Sequence, residues 1–190
     1  MNRFILEDTP EQIAVSHCDK HIVKMPVEEA QMLCTAHRLL DGTIERRPSK
    51  SGKTTIKYWK LDDNISENVL YKAVHMGHPC TKWVMESEEN YRFGYSLFMA
   101  LCREYSHRYG KIHGCEKRLW IALRKPPKNI PKGPLTPMPL AMGSNPECIN
   151  PDDVIGSYRH YYATKKDRFN MVWTNRGEPK WWNEYVQMVG

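Results

Sequence analysis

His17, His21, Lys24 and Glu28 follow one another at steps of four, three and four residues, so on a continuous helix they share one face. Gln31 and Thr35 extend the same sector, about 80° wide on an ideal helix, whereas Cys18, Ile22, Met25 and Leu33 fall outside it. Two imidazoles, an ammonium and a carboxylate in one row are the ingredients of acid and base chemistry. Packing them against a core brings their titration towards neutrality. Glu28 is the natural base or electrostatic partner, with Lys24 and the histidines as donors. A solvated helix face accounts for the same row without chemistry; against it stands the apolar character of the rest of the segment from Gln12 to Leu40, which suits a central helix. Asp19 projects to the opposite side and reads as a structural partner.

The spacing of His17 and His21 also occurs in helical zinc motifs, with Glu28 or His78 as a third ligand. The glutamate of the His-Glu-x-x-His pattern is missing, so metal binding is the weaker reading, and no metal and no cofactor are expected. Ser51-Gly52-Lys53-Thr54-Thr55 contains Gly-Lys-Thr, but Arg47 stands where a phosphate-binding loop requires its first glycine.

The elements that must position these residues can be read along the chain. Residues 1–8 suit a short extended arm. Thr9-Pro10-Glu11-Gln12 is a helix start, with Thr9 as cap and Pro10 at the first helical position. The helical pattern then continues to about Leu40, interrupted by Pro26, which predicts a kink or a split, and Asp41-Gly42 ends it. Residues 43–60 carry Arg46, Arg47, Lys50, Lys53 and Lys57 and read as a mobile basic loop with a hairpin as its ordered alternative, either solvated or in contact with phosphates. Asp63 to His75 predicts a short helix. A long amphipathic segment to Tyr109 places Trp83, Ser87, Tyr91, Tyr95, Phe98, Cys102, Tyr105 and Tyr109 on one face, assigned to the core. Eight of the 13 prolines fall at Pro126, Pro127, Pro131, Pro134, Pro137, Pro139, Pro146 and Pro151, so residues 126–151 predict a long loop. Asn150-Pro151-Asp152-Asp153 starts another helix, and the chain closes in an irregular aromatic tail around Trp173, Trp181 and Trp182. The expectation is an all-α fold: one helical domain over residues 1–190.

Composition narrows the class. Hydrophobic residues make up 41% and charged residues 26% of the 190, near globular averages, and the length suffices for a core without disulfides. No apolar run approaches the roughly 20 residues of a membrane span, so no membrane partner is expected. The first residues lack the apolar stretch of a secretory signal, which predicts a cytoplasmic protein. The six cysteines are scattered singly and read as reduced core thiols. A net charge of +6 favours a polyanionic partner such as nucleic acid.

Several of these residues carry a resemblance. Met1-Asn2-Arg3 followed by apolar residues, Asp19-Lys20-His21 with Glu28 nine positions after the aspartate, Gly77-His78 before a long helix, and Pro179-Lys180-Trp181-Trp182 with Tyr185 together resemble the pyrimidine-dimer DNA glycosylases of the endonuclease V type. The likeness touches about half the chain, at both ends and the middle, and no one motif is specific. It implies an all-helical fold with the N-terminus near Glu28, a base flipped out of the DNA stack, and N-glycosyl bond cleavage through an imine at the N-terminal amine. Glu28 would stabilise the charged sugar, and Arg3 and His21 would hold the substrate. This chain departs from the family pattern in three places. Asn2 is larger than the family's threonine, which predicts that Met1 is retained and the amine displaced by one residue. The arginine expected shortly after the glutamate is absent, since Glu29, Ala30 and Gln31 follow Glu28, and the Pro-rich stretch has no counterpart. The whole chain also resembles a group of phage proteins sharing Cys-Asp-Lys-His-x-Val-Lys-Met and His-Pro-Cys-Thr-Lys-Trp, here Cys18 to Met25 and His78 to Trp83, a likeness that brings no activity with it.

The candidate catalytic set is therefore Glu28, His21, Lys24 and Asn2, with Arg3, His17, Gln31, His78 and Lys82 holding the substrate. The leading function is a DNA base N-glycosylase, with or without abasic-site lyase activity, or a related base-modifying enzyme. A non-enzymatic module binding nucleic acid or a host protein, and an enzyme modifying nucleotides or nucleosides, stay open beside it, as does the oligomeric state.

Overall fold

A computed structural model describes residues 2–189. The arm Asn2 to Leu6 is buried along its whole length. Helix α1 (Pro10–Ser16) starts as its sequence predicts: the Thr9 hydroxyl accepts from the Gln12 N–H at 3.3 Å, and Pro10 opens the first turn. The chain then breaks at His17 and Cys18 before α2 (Asp19–Asp41).

That break lies eight residues before Pro26, which α2 accommodates in its interior. The sequence places the interruption at the proline; the structure places it at His17, where other groups satisfy the broken ladder. The His17 imidazole takes the Ile13 carbonyl at 2.7 Å, the Cys18 N–H donates to the Tyr162 hydroxyl at 2.9 Å, and the Asp19 N–H donates to the Val172 carbonyl at 2.8 Å. The orphan donors that open α2 thus find partners from the far end of the chain.

The polypeptide continues through strands β1 (Thr43–Pro48) and β2 (Thr55–Lys60), helices α3 (Asn64–Val69), α4 (Pro79–Glu86), α5 (Glu88–Tyr109) and α6 (Gly114–Leu119), then α7 (Val154–Ala163) and α8 (Trp182–Met188). The fold is 51% helical with eight helices and one two-stranded antiparallel sheet among the described residues, which corrects the all-α expectation. The reason lies in residues 43–60. Ile44, Ile56, Tyr58 and Trp59 have strand character, but the interleaved lysines and arginines mask their alternation in the sequence. What holds the ribbon down is tertiary: Tyr58 is buried, donates to Glu67 at 2.5 Å, and lies under the Arg47 guanidinium, 3.4 Å from its ring centre.

The aromatic tail is a second correction, since Trp182–Met188 is helical rather than irregular. The predicted helix over 63–75 shortens to α3. The long segment ending at Tyr109 divides at Ser87, whose hydroxyl accepts from the Asn90 N–H at 3.1 Å and caps α5. Trp83, Ser87, Tyr91, Phe98 and Cys102 are buried on the stripe assigned to the core, whereas Tyr95, Tyr105 and Tyr109 are only half-buried. All six cysteines are buried and free.

Helices α2 and α5 run antiparallel, with Asp19 meeting Arg108 at 2.9 Å near one end and Leu33 lying against Gly94 towards the other. A Cβ at Gly94 would approach the Arg3 guanidinium to 3.1 Å and Leu33 to 3.3 Å, so glycine is what lets α5 close here. Both helices contribute to two hydrophobic clusters. One gathers Phe4, Leu6, Ile13, Ile22, Met25 and the tail tryptophans; the other gathers Leu33, Cys34, Trp83, Tyr91, Phe98 and Leu119. The Pro-rich stretch 126–151 is nearly free of regular structure but is tied down. Thr136 meets both Trp83 and Asn90, Pro134 accepts from the Ser87 hydroxyl at 2.8 Å, and Pro139 accepts from the Tyr158 hydroxyl at 2.6 Å. No helix among the described residues is long and apolar enough to cross a membrane.

Candidate active site at the start of α2

Two adjacent carboxylates on α2 receive the N-terminal arm. Glu29 faces the core and grips Arg3 in a two-point ion pair, Nε to Oε1 at 2.7 Å and Nη2 to Oε2 at 2.6 Å, with both side chains fully enclosed. The guanidinium also lies 5.0 Å from the Trp83 ring centre. Glu28, one residue earlier and so turned by about 100° on the helix, accepts the backbone N–H of Asn2 on Oε2 at 2.9 Å. Its other oxygen takes the Lys24 ammonium at 2.8 Å. The Lys24 side chain is 63% exposed and that of Glu28 only 8%, so the carboxylate sits just beneath the surface with a solvated cation above it. Asn2 is held from three sides. Its Nδ2 donates to the Ala141 carbonyl at 3.0 Å, its Oδ1 accepts from the Arg3 N–H at 2.8 Å, and the Cys80 thiol lies 4.0 Å from that oxygen.

The histidines occupy a ring cluster next to this site. Phe4 lies 5.0 Å from His21, 6.0 Å from His17 and 4.9 Å from Tyr162 between ring centres. His17 Nδ1 must carry a proton because its partner is a carbonyl, which leaves Nε2 buried and without a partner among the described residues. His21 Nδ1 lies 2.6 Å from the Tyr162 hydroxyl, which already accepts from Cys18. The arrangement that leaves no hydroxyl proton unpaired sends that proton to His21 Nδ1 and puts the ring's own proton on Nε2.

Both imidazoles are neutral. Burial, opposed by the bond to Ile13 and helped by Arg108, lowers the His17 pKa to about 4. Burial, with His17, Lys24 and Lys165 adding repulsion, lowers that of His21 to about 3. An unfolded histidine titrates near 6.5, so between that value and the folded ones the unfolded chain binds more protons and stability falls as pH falls. Denaturant unfolding at steps from pH 7 to pH 4 is expected to lose about 1.4 kcal/mol per pH unit for each such histidine below pH 6.5. His17→Gln should make the dependence shallower by one proton; an unchanged slope would mean that His17 is not buried neutral.

The structure thus brings Asn2, Lys24 and Glu28 together, with His21 and His17 in the adjoining cluster. Arg3, which the resemblance gives to substrate, has no exposed surface and acts by fixing the arm. Gln31 is half-buried further along α2. His78 caps α4, its Nδ1 accepting from the Cys80 N–H at 3.2 Å, and Lys82 is exposed on the same helix. Asp19 is structural, as read from its phase: its carboxylate accepts from Arg108 and from both the backbone and the hydroxyl of Thr174. The retention of Met1 concerns a residue outside those described.

Sequence reasoning missed Lys165. It is 6% exposed, its ammonium lies 3.5 Å from the Tyr161 ring centre and 3.3 Å from the Thr164 hydroxyl, and it has no carboxylate partner among the described residues. In the sequence it is one of two lysines ending a helix, and only the fold carries it towards His21. Glu29 and Tyr162 were missed for the same reason. Among the described residues no group of three or more His, Cys, Asp or Glu could hold a metal ion. Comparison of the chain with protein-family models, with curated proteins and with solved structures finds no match.

Proposed function

We propose that the protein is a DNA-acting enzyme that breaks the N-glycosyl bond of a base, with abasic-site strand cleavage as an associated activity. The observation that carries this reading is the bond from the Asn2 N–H to Glu28, which joins positions 26 residues apart and seats the N-terminal arm on a nearly buried carboxylate. That is the juxtaposition the glycosylase resemblance requires. An amine at this end of the chain would attack C1′ as the C1′–N bond to the base breaks. The base leaves with the bonding pair and takes a proton from water, the amine gives its proton to Glu28, and Glu28 passes that proton to the ring oxygen as the C1′–O4′ bond breaks and the nitrogen lone pair closes the imine. Glu28 also offers negative charge to the sugar as positive charge develops there. Lys24, 2.8 Å from the same carboxylate, is the alternative amine. Lys24, 63% exposed above the carboxylate, offers a solvated cation to a phosphate-bearing substrate.

Borohydride reduction during incubation with abasic-site DNA tests the imine, and mass mapping of the adduct assigns it to the N-terminal residue or to Lys24. If no adduct forms but base is still released from ultraviolet-irradiated duplex, the reaction is hydrolysis by a water that Glu28 activates. No base release and no adduct on damaged or modified DNA would sink the enzymatic reading.

A further inference from the structure

The hairpin β1–β2 plays no part in the site around Glu28, and its two faces differ in kind. Its register pairs Ile44 with Trp59, Arg46 with Lys57, and Pro48 with Thr55 on the outer face. Glu45 with Tyr58 and Arg47 with Ile56 lie on the inner face. The inner face is neutralised: Arg47 pairs with Glu45 and stacks on Tyr58, and Glu67 receives Arg38, Tyr58 and the Leu61 N–H. On the outer face Arg46 and Lys57 stand directly opposite each other, both exposed, with no carboxylate partner among the described residues. Opposed like charges destabilise a strand pair, so the ribbon keeps them at a cost. Lys50 and Lys53 add two more exposed cations at the tip, where Gly52 takes a φ of +71° to close the turn.

We propose that this outer face binds the phosphate backbone of duplex DNA, a proposal that rests on the DNA reading above but not on the chemistry at Glu28. Charge is the first argument, since Arg46, Lys50, Lys53 and Lys57 are exposed with no carboxylate counter-ion among the described residues and would gain one in each phosphate. Shape is the second, because a two-stranded ribbon is one of the two elements that the major groove of B-DNA admits. The tip sequence Ser49-Lys50-Ser51-Gly52-Lys53-Thr54 has no apolar side chain to enter a lipid surface. Position is the third. The ribbon follows α2 directly, and the 13 residues from Glu28 to Asp41 span about 20 Å at 1.5 Å per residue. The ribbon therefore falls on duplex flanking the reacting nucleotide.

The test measures binding to a short undamaged duplex over a range of salt concentrations. Arg46, Lys50, Lys53 and Lys57 are replaced together by glutamine, and Lys50 and Lys53 alone in a second variant that leaves the paired strands intact. Each phosphate that the variant no longer neutralises should reduce the slope of log affinity against log salt by about 0.9, so the fourfold variant should lose roughly 3 to 4 and the tip variant about half of that. A control with glutamine at Lys111, Lys117, Lys125 and Lys180 removes the same charge elsewhere and should change the slope less. An equal drop in the control, or a wild-type slope in the hairpin variants, overturns the proposal. So does wild-type binding to phosphatidylserine vesicles that the hairpin variants lose while keeping their duplex binding, which would make the ribbon a membrane-binding element. Glu28→Gln separates the two readings: if it abolishes turnover while the hairpin variants bind normally, the ribbon falls and the enzyme stands. If no substrate is ever turned over yet the slope drops, the ribbon stands alone.

Discussion

Glu28→Gln is expected to slow base release by about 10²- to 10⁴-fold while leaving the fold and duplex affinity close to wild type. Glutamine keeps the shape of the side chain, and its carbonyl can still accept the Asn2 N–H that Glu28 takes at 2.9 Å. What it loses is the charge and the proton-accepting oxygen. The carboxylate holds an ammonium at 2.8 Å and is 8% exposed, so its field acts in a medium that water screens poorly. Lys24 is then left with no anion beneath it, which removes whatever control Glu28 exerts over either amine. Single-turnover base release from irradiated duplex, with anisotropy titration of the same DNA, separates the two effects. A variant that releases base at the wild-type rate would remove Glu28 from the chemistry. Failure to bind DNA with an intact fold would give it a binding role instead.

The largest stability effect is expected at the Arg3–Glu29 pair. Arg3→Met leaves a carboxylate with no counter-ion in a site with no exposed surface, and breaking a buried pair in this way costs about 3–5 kcal/mol. In a chain of this size that lowers the thermal midpoint by roughly 10 °C. Burial already pushes the Glu29 carboxyl above its ordinary pKa, against the pull of Arg3. Without the guanidinium that upward push is unopposed, so the folded chain takes up a proton at Glu29 above the pH at which the unfolded chain does, and the destabilisation should ease as pH falls towards the ordinary carboxylate range. Replacing both residues by methionine should recover most of the stability, because the desolvation cost of both charges disappears. The double variant is expected to stay poor in base release. Arg3 is the next residue after Asn2, and its ion pair is what holds the arm against α2. A double variant with wild-type activity would show that the arm needs no such clamp.

The sequence by itself determined what repeats locally. The cap at Thr9 with Pro10 after it, the end of the helical run near Asp41, the buried positions Trp83, Tyr91, Phe98 and Cys102 and the inward cysteines all follow from spacing of three and four residues or from a single cap position. The membership of Lys24 and Glu28 on one face of α2 belongs here too, because it depends on helical phase alone. So does the structural role of Asp19, read from its phase on the opposite side.

Only the tertiary structure decided the rest. His17 left the helix because Tyr162 and Val172 could satisfy the start of α2, and the bond from Cys18 to Tyr162 spans 144 residues. Arg3 became a clamp because Glu29, adjacent to the predicted Glu28, turned towards the core at Trp83. Lys165 settled over the Tyr161 ring within electrostatic range of His21, and the ribbon at 43–60 paired its strands over Tyr58 and Glu67. Interactions between positions so far apart leave no period in the sequence, and their free energy comes from burial and hydrogen bonds that exist only once the chain has closed.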